Sequence, residues 1–250
     1  MAAAVEEFPD VRLVRGELHL EPGAARNLGA AHARGRILAF TDADCEAAAG
    51  WLGAACSALD QGARLVGGPV LDARPRHPIS VADNLLQFAE FRCGRPGGHA
   101  THFPGCNLAI RHADFGLLGR FPEKGLGEDI EFCRRAVERE PEGLVFVPEM
   151  VVRHLGRTGF RAMLVHHHTF GLWRGRLQLR IGKLQARLGV FRSTIPLFAL
   201  WRFLFILRRT AAWNPRGLPA FVLLSPLLLA GLVAWAIGFR RGLLLARPSA

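Results

Sequence analysis

Hydrophobic positions along this chain change rhythm several times, and the changes mark out its elements. Ile37-Leu38-Ala39-Phe40 runs apolar from Arg36 to Thr41 and stops at Asp42-Ala43-Asp44. A short continuous apolar run bounded by polar residues reads as a buried strand. Val11–Val14, Arg64–Val70, the stretch ending in Leu108-Ala109-Ile110-Arg111, Leu144–Glu149 and Val151–His154 read the same way. Helical spacing takes over between them. Pro22 to Gly35 is rich in Ala, with a Pro suited to a first turn and a Gly suited to a stop. Trp51–Leu59 and Val81–Phe91 follow, the second apolar at 81, 85, 88 and 91, and Ile130, Cys133, Ala136 and Val137 form another stripe. Leu71–Ile79 and Gly94–Gly98 are punctuated by Pro and Gly and read as loops. Strands alternating with helices predict an open α/β sheet with helices on both faces.

The last third changes character. Pro219–Phe239 is 21 residues without a charge, about 31 Å as a helix, enough for a hydrocarbon core of about 30 Å. Pro226 inside it predicts a kink. Ile195–Leu207 is shorter and carries Arg202 in its middle, the pattern of a helix lying at an interface. Before it, His166, His167 and His168 join Arg174, Arg176, Arg180, Lys183 and Arg187 in a basic helical stretch. The expected organisation is therefore a catalytic domain over 1–155, a basic amphipathic region over 156–215, and a transmembrane helix with a short tail over 216–250.

Charge sharpens this picture. The 250 residues carry 32 Lys+Arg against 21 Asp+Glu, a formal net charge of +11. Such an excess suits nucleic acid or an anionic membrane. The positive charge is concentrated late, beside the most apolar segments, and no helix-turn-helix, zinc-finger or RNA-binding signature accompanies it. The expected partner is a membrane, and no nucleic acid. Three Arg precede the uncharged segment (208, 209, 216) and three follow it (240, 241, 247), so loop charge does not set its orientation. Five Cys, at 45, 56, 93, 106 and 133, are odd in number with no C-x-x-C pair, which suits a reducing compartment. Met1–Asp10 is acidic and has no apolar core of a signal peptide.

The candidate chemistry sits where the first apolar strand ends. In an extended chain residues i and i+2 share a face, so Asp42 and Asp44 are expected to aim their oxygens at one spot. Carboxylate oxygens suit Mg²⁺ or Mn²⁺ and leave room for substrate phosphates.

A helix carrying Arg26-Asn27, a Gly, and a strand ending in Asp-x-Asp together resemble the family-two, GT-A-fold glycosyltransferases. Further motifs fall in the family's order. Gly105-Cys106-Asn107-Leu108-Ala109-Ile110-Arg111 is similar to its Gly-x-Asn-x-Ala-x-Arg strand near the acceptor. Gly119-Arg120-Phe121-Pro122-Glu123 resembles its Gly-Gly-Phe-Asp-Glu turn, with Arg and Pro as departures, and Gly127-Glu128-Asp129 resembles its Glu-Asp helix start. The resemblance implies a GT-A (Rossmann-like) fold and inverting, metal-dependent transfer from a nucleotide-diphosphate sugar. It implies Asp129 as the base that deprotonates the acceptor, oriented by Glu128. Arg26, Asp42 and Asp44 are then at the donor, Gly105 and Asn107 at the acceptor, and Asp44, Asp42 and His154 at the metal. The acceptor is left open among glycan, lipid and small molecule. Donors of this kind are cytosolic, which places the catalytic domain on the cytoplasmic face of the inner or plasma membrane. Processive members carry Gln-x-x-Arg-Trp where this chain has Leu172-Trp173-Arg174, which speaks against polymer synthesis.

Two other readings compete. A haloacid-dehalogenase phosphatase also ends a strand in Asp-x-Asp but wants Thr or Val where Glu46 stands. A membrane-anchored, non-catalytic remnant is the other. The family opens with a strand–helix–strand segment that has no counterpart ahead of Val11–Val14, about 45–60 residues at the usual size of such units. The expectation is that Met1 is an internal or misassigned start and that the chain as it stands is a poor or inactive enzyme.

Overall fold

The computed structural model describes residues 8, 10–16, 18–125, 127–180 and 194–245. In chain order the elements are α1 (Pro22–His32), β1 (Ile37–Phe40), β2 (Cys45–Ala47), α2 (Trp51–Asp60), β3 (Leu65–Gly67), β4 (Val70–Asp72), α3 (Pro78–Phe88), β5 (Gly98–His99), β6 (Leu108–Arg111), α4 (His112–Leu117), α5 (Glu128–Arg139), β7 (Leu144–Phe146) and β8 (Val152–His154). Four longer or shorter helices follow: α6 (Phe160–Arg180), α7 (Ile195–Trp213), α8 (Leu218–Leu223) and α9 (Ser225–Leu245).

Two sheets form. The larger has the order β1-β6-β3-β7-β5 and the smaller β2-β8-β4. In the larger sheet β6 is antiparallel to both β1 and β3, while β3 and β7 are parallel. Hence β1, β3 and β7 run the same way and finish at one edge, and β6 starts there. This edge collects the residues after β1, those before β6 and the loop after β7. The sheet is mixed rather than wholly parallel, because β6 enters against its neighbours. Leu65, Val66, Leu108, Ala109 and Ile110 are all fully buried. Successive side chains point to opposite faces, so both faces of these central strands are covered. The covering core includes a cluster of Phe40, Phe115, Phe121 and Phe132, with ring centroids 4.5 to 5.6 Å apart.

Three expectations are corrected. Val11–Val14 is not a strand: the outer edge of β1 pairs with no strand among the described residues, and Val11 and Leu13 are exposed. A strand needs a partner for its backbone groups, and an open groove lies along β1 instead, walled by Arg26, Gly29 and Ala30 of α1 and by Ala33 just after it. Arg64–Val70 divides into β3 and β4, which join different sheets across Gly68-Pro69. Pro219–Phe239 is split at Leu224, with Pro226 in the first turn of α9. Proline lacks the N–H that a continuous helix needs, so it opens a new one.

Among the described residues α9 is the one helix long and apolar enough to cross a membrane, and half of its most apolar stretch is buried against the rest of the chain. It crosses α6 with the two backbones in contact: a Cβ added at Gly175 would meet the Phe239 carbonyl oxygen at 2.2 Å, and one at Gly238 the His168 carbonyl oxygen at 2.0 Å. Arg202 of α7 turns inward, over the Trp235 ring at 4.3 Å, and donates to the Leu86 carbonyl at 3.3 Å. The outer faces keep Leu197, Leu200, Trp201 and Leu204 on α7 and Leu229, Val233, Ile237 and Leu244 on α9 exposed. Lys183 and Arg187 of the expected basic helix lie outside the described residues.

Candidate active site

Asp42 and Asp44 take different partners. The chain leaves β1 through a turn, closed by the Cys45 N–H donating to the Asp42 carbonyl at 3.0 Å. The i, i+2 rule holds for extended backbone and does not carry across this turn. Asp42 accepts from Arg26 of α1 at 2.6 Å. Asp44 lies 3.4 Å from Nε2 of His154, at the end of β8.

Arg26 is the hub of the cleft. Its second guanidinium nitrogen donates to Glu128 at 2.5 Å, so one side chain joins the turn after β1 to the first residue of α5. A planar guanidinium with donors on two edges suits this bridging better than an ammonium. Gly105 lies against it: an added Cβ there would meet Arg26 Cζ at 2.5 Å. Burial and the neighbouring Asp129 hold the Glu128 carboxyl above its ordinary range, and Arg26 pulls the other way.

Asp129 is fixed by two backbone donors, Gly105 N–H to Oδ2 at 3.1 Å and its own neighbour Ile130 N–H to Oδ1 at 2.7 Å. Glu128, Asp129 and Glu131 open α5, where carboxylates oppose the helix dipole. Arg174 of α6 comes close enough to feel the charges of Asp129 and Glu90, and Trp173 covers Gly125. The Leu172-Trp173-Arg174 stretch therefore borders the Asp129 end of the cleft. Arg174 was not among the expected site residues. Its signal was present in the sequence, but its distance from α5 along the chain hid the proximity.

Asn107 departs from its expected place at an acceptor. It is fully buried: its amide nitrogen donates to the Pro69 carbonyl at 3.0 Å and the Met150 carbonyl at 2.7 Å, and its oxygen accepts from the Trp51 indole at 2.8 Å. Both amide donors are used, so the side chain ties β6 to the loops after β3 and β7 and does not face the cleft. Asn27 behaves alike, exchanging hydrogen bonds with the Phe121 backbone at 2.9 and 3.0 Å.

Among the described residues, the group that could hold a metal is Asp44, Cys45 and His154, whose ligand atoms all lie within 4.8 Å of one another. Asp42 is outside this group, being engaged by Arg26. The set fits a divalent cation, since carboxylate and imidazole converge from two elements with one side open: the Asp44 side chain is 49% exposed and that of His154 7%. Burial disfavours protonated His154, but Asp44 outweighs it and holds the imidazole above its ordinary range; the same hydrogen bond holds Asp44 below its own. Edge-on packing against Phe88, centroids 5.2 Å apart, fixes the ring. Cys45 was missed in the sequence. Only the strand register, which sets it directly opposite His154, reveals it.

Comparison with known proteins places this arrangement. Residues 1–117 match the family model described as Glycosyl transferase family 2. No curated protein sequence matches the chain. A mannosyltransferase from Pyrobaculum calidifontis, solved with GDP-Man and Mn²⁺, superposes with a TM-score of 0.53 at 20% identity, covering 95% of this chain and 72% of that one. A structure of GalNAc-T7 with UDP, GalNAc and Mn²⁺ gives a TM-score of 0.48 at 18% identity, covering 62% of this chain. The chain spans only 34% of the length of that second protein. The fold, a mixed α/β sheet flanked by helices with one apolar C-terminal helix, is the GT-A arrangement.

Proposed function

We propose that this chain is a membrane-associated family 2 glycosyltransferase that moves a sugar, with inversion, from a nucleotide-diphosphate donor to an acceptor hydroxyl. The observation that carries the reading is the Arg26 bridge, which draws the turn after β1 and the start of α5 into one cleft. The GDP-Man and Mn²⁺ in the compared mannosyltransferase structure support a nucleotide sugar and a divalent metal here.

Asp44 and His154 would hold the metal, which supplies Lewis-acid neutralisation of charge on a leaving diphosphate. Arg26 lies at the same end and presents positive charge toward the donor once Asp42 turns to the ribose. Asp129 accepts the proton of the acceptor hydroxyl as that oxygen attacks the anomeric carbon from the face opposite the diphosphate. The Gly105 N–H and the Ile130 N–H keep its carboxylate oriented for this. Glu128, locked to Arg26, sets the helix start and so positions Asp129. Gly105 keeps the acceptor side of the cleft open beside Arg26. Acceptor candidates are a glycan, a lipid or a small molecule.

The outer stripes of α7 and α9 and the excess of Arg support association with the inner or plasma membrane, the catalytic domain facing the cytoplasm and the supply of nucleotide sugar. Incubating the purified chain with nucleotide sugars and following release of nucleoside diphosphate tests the reading. Release that requires metal is expected. Release equally fast in a chelator, or release of inorganic phosphate from simple phosphate esters instead, contradicts it.

A further inference from the structure

The metal-binding group contains a third donor that nothing in the proposed reaction uses. Cys45 opens β2, and the antiparallel register sets it directly opposite His154 of β8. Directly opposed residues on neighbouring strands send their side chains to the same face, with Cβ atoms about 4.5–5.5 Å apart. Cys45 Sγ lies 3.9 Å from an Asp44 oxygen, and the other Asp44 oxygen 3.4 Å from His154 Nε2. A tetrahedral site with bonds of about 2.0–2.3 Å has ligand-to-ligand edges of roughly 3.3–3.8 Å. These two spacings lie close to such edges, the three donor atoms all lie within 4.8 Å of one another, and the backbone register holds the strands that carry Cys45 and His154 side by side. A hydrogen bond from the Leu155 N–H to the Asp44 carbonyl, at 2.7 Å, braces the turn against β8.

We propose that Cys45 is a thiolate ligand beside Asp44 and His154, so that the site rejects Mg²⁺ and ranks Co²⁺ and Zn²⁺ above Mn²⁺. The proposal rests on the metal-dependent reading above and sharpens which ion works there. Sulfur is a soft donor and imidazole suits transition metals, so two of the three protein donors turn the site away from a hard ion that prefers oxygen. The thiol gives up its proton to solvent as the ion binds, so affinity rises with pH. The fourth position stays open toward the exposed side of Asp44, where a diphosphate oxygen would enter.

Adding Co²⁺ to the full chain and recording its absorption tests this directly, because sulfur-to-cobalt charge transfer gives a near-ultraviolet band that oxygen and nitrogen ligands do not. The expected result is a band in the wild type that is lost in Cys45→Ser and kept in Cys106→Ser. Zn²⁺ affinity of Cys45→Ser should fall by at least the roughly 10–100-fold that loss of an outer-shell partner costs. If calorimetry shows Co²⁺ binding that depends on Asp44 but no band appears, the metal site stands and Cys45 is not a ligand. No Co²⁺ or Mn²⁺ binding at all would overturn both. Should Cys45→Ser fail to fold, alkylation of the wild-type protein decides: Zn²⁺ must protect Cys45 from iodoacetamide, and equal labelling with and without Zn²⁺ overturns the proposal.

Discussion

Two residues of the cleft illustrate how a side chain's bonds decide its role. Asp129 has its oxygens met by backbone donors, yet the carboxylate lies at a helix start that borders the cleft. Replacing it by Asn keeps size and most hydrogen bonding but removes the base. Asp129→Asn is expected to lower sugar transfer by about 10²–10⁴, while metal-dependent nucleotide binding survives; near-native turnover would rule out the assignment. Asn107 is the opposite case. Asn107→Ala takes away the partner of the Trp51 indole and the side-chain bond to the Met150 carbonyl, and leaves the Pro69 carbonyl only the Val152 N–H. An unsatisfied buried group costs about 1–3 kcal/mol, so a clear loss of denaturation midpoint is expected. An unchanged midpoint with a raised KM for acceptor would return Asn107 to the acceptor site.

At the scale of elements, the strands and helices with a simple rhythm were legible, because a buried strand and an amphipathic helix each write their period into a few adjacent residues. β1, α2, α5 and β8 appear within a few residues of where the pattern puts them. What local pattern does not carry is pairing. The Arg26–Glu128 contact joins residues 102 apart in sequence, and Cys45 meets His154 only through sheet register. Val11–Val14 failed for the same reason, since apolar composition marks a strand but cannot supply its neighbour. The Arg26 partner of Asp42 was hidden too, because the spacing argument assumed extended backbone where the chain turns.

The α3–α6 contact makes a prediction of its own. Asp83 is fully buried and accepts from His167 Nε2 at 2.9 Å; its other oxygen accepts from the Arg157 N–H at 3.1 Å. Burial depresses His167, and burial together with Arg157 pushes His166 down to about 3. A His whose folded pKa lies below its unfolded value of 6.5 takes up a proton on unfolding. Its stabilising contribution is complete above that value and declines as pH falls toward 3. Each such group adds a slope of about 1.4 kcal/mol per pH unit in that window. Chemical denaturation between pH 7.5 and 5 should show stability falling with acid, and His166→Phe should flatten the slope. A pH-independent wild type would contradict the burial of this pair.

For the whole molecule, the C-terminal helices pack against the elements that carry the candidate site. α9 lies on α6 and α3, with Gly231 against Leu86 and His167, and it leaves an apolar stripe outside. Full-length protein should remain in the membrane pellet through carbonate washing and require detergent; recovery in the aqueous wash would defeat the claim of a stable membrane anchor. Because the same helices brace α6, whose Trp173 and Arg174 border Asp129, deleting residues beyond 217 is expected to lower the denaturation midpoint as well as ease extraction.

The central claim is that the turn after β1 and the end of β8 together grip a metal and, through it, a donor diphosphate. Calorimetric titration of UDP and GDP into the full chain, with Mn²⁺ and with chelator, addresses it most directly. Binding should require Mn²⁺, should disappear in Asp44→Ala, should weaken less in Asp42→Ala, and should persist in Asp129→Asn. Undiminished affinity in Asp44→Ala, or equal affinity in chelator, would contradict the account.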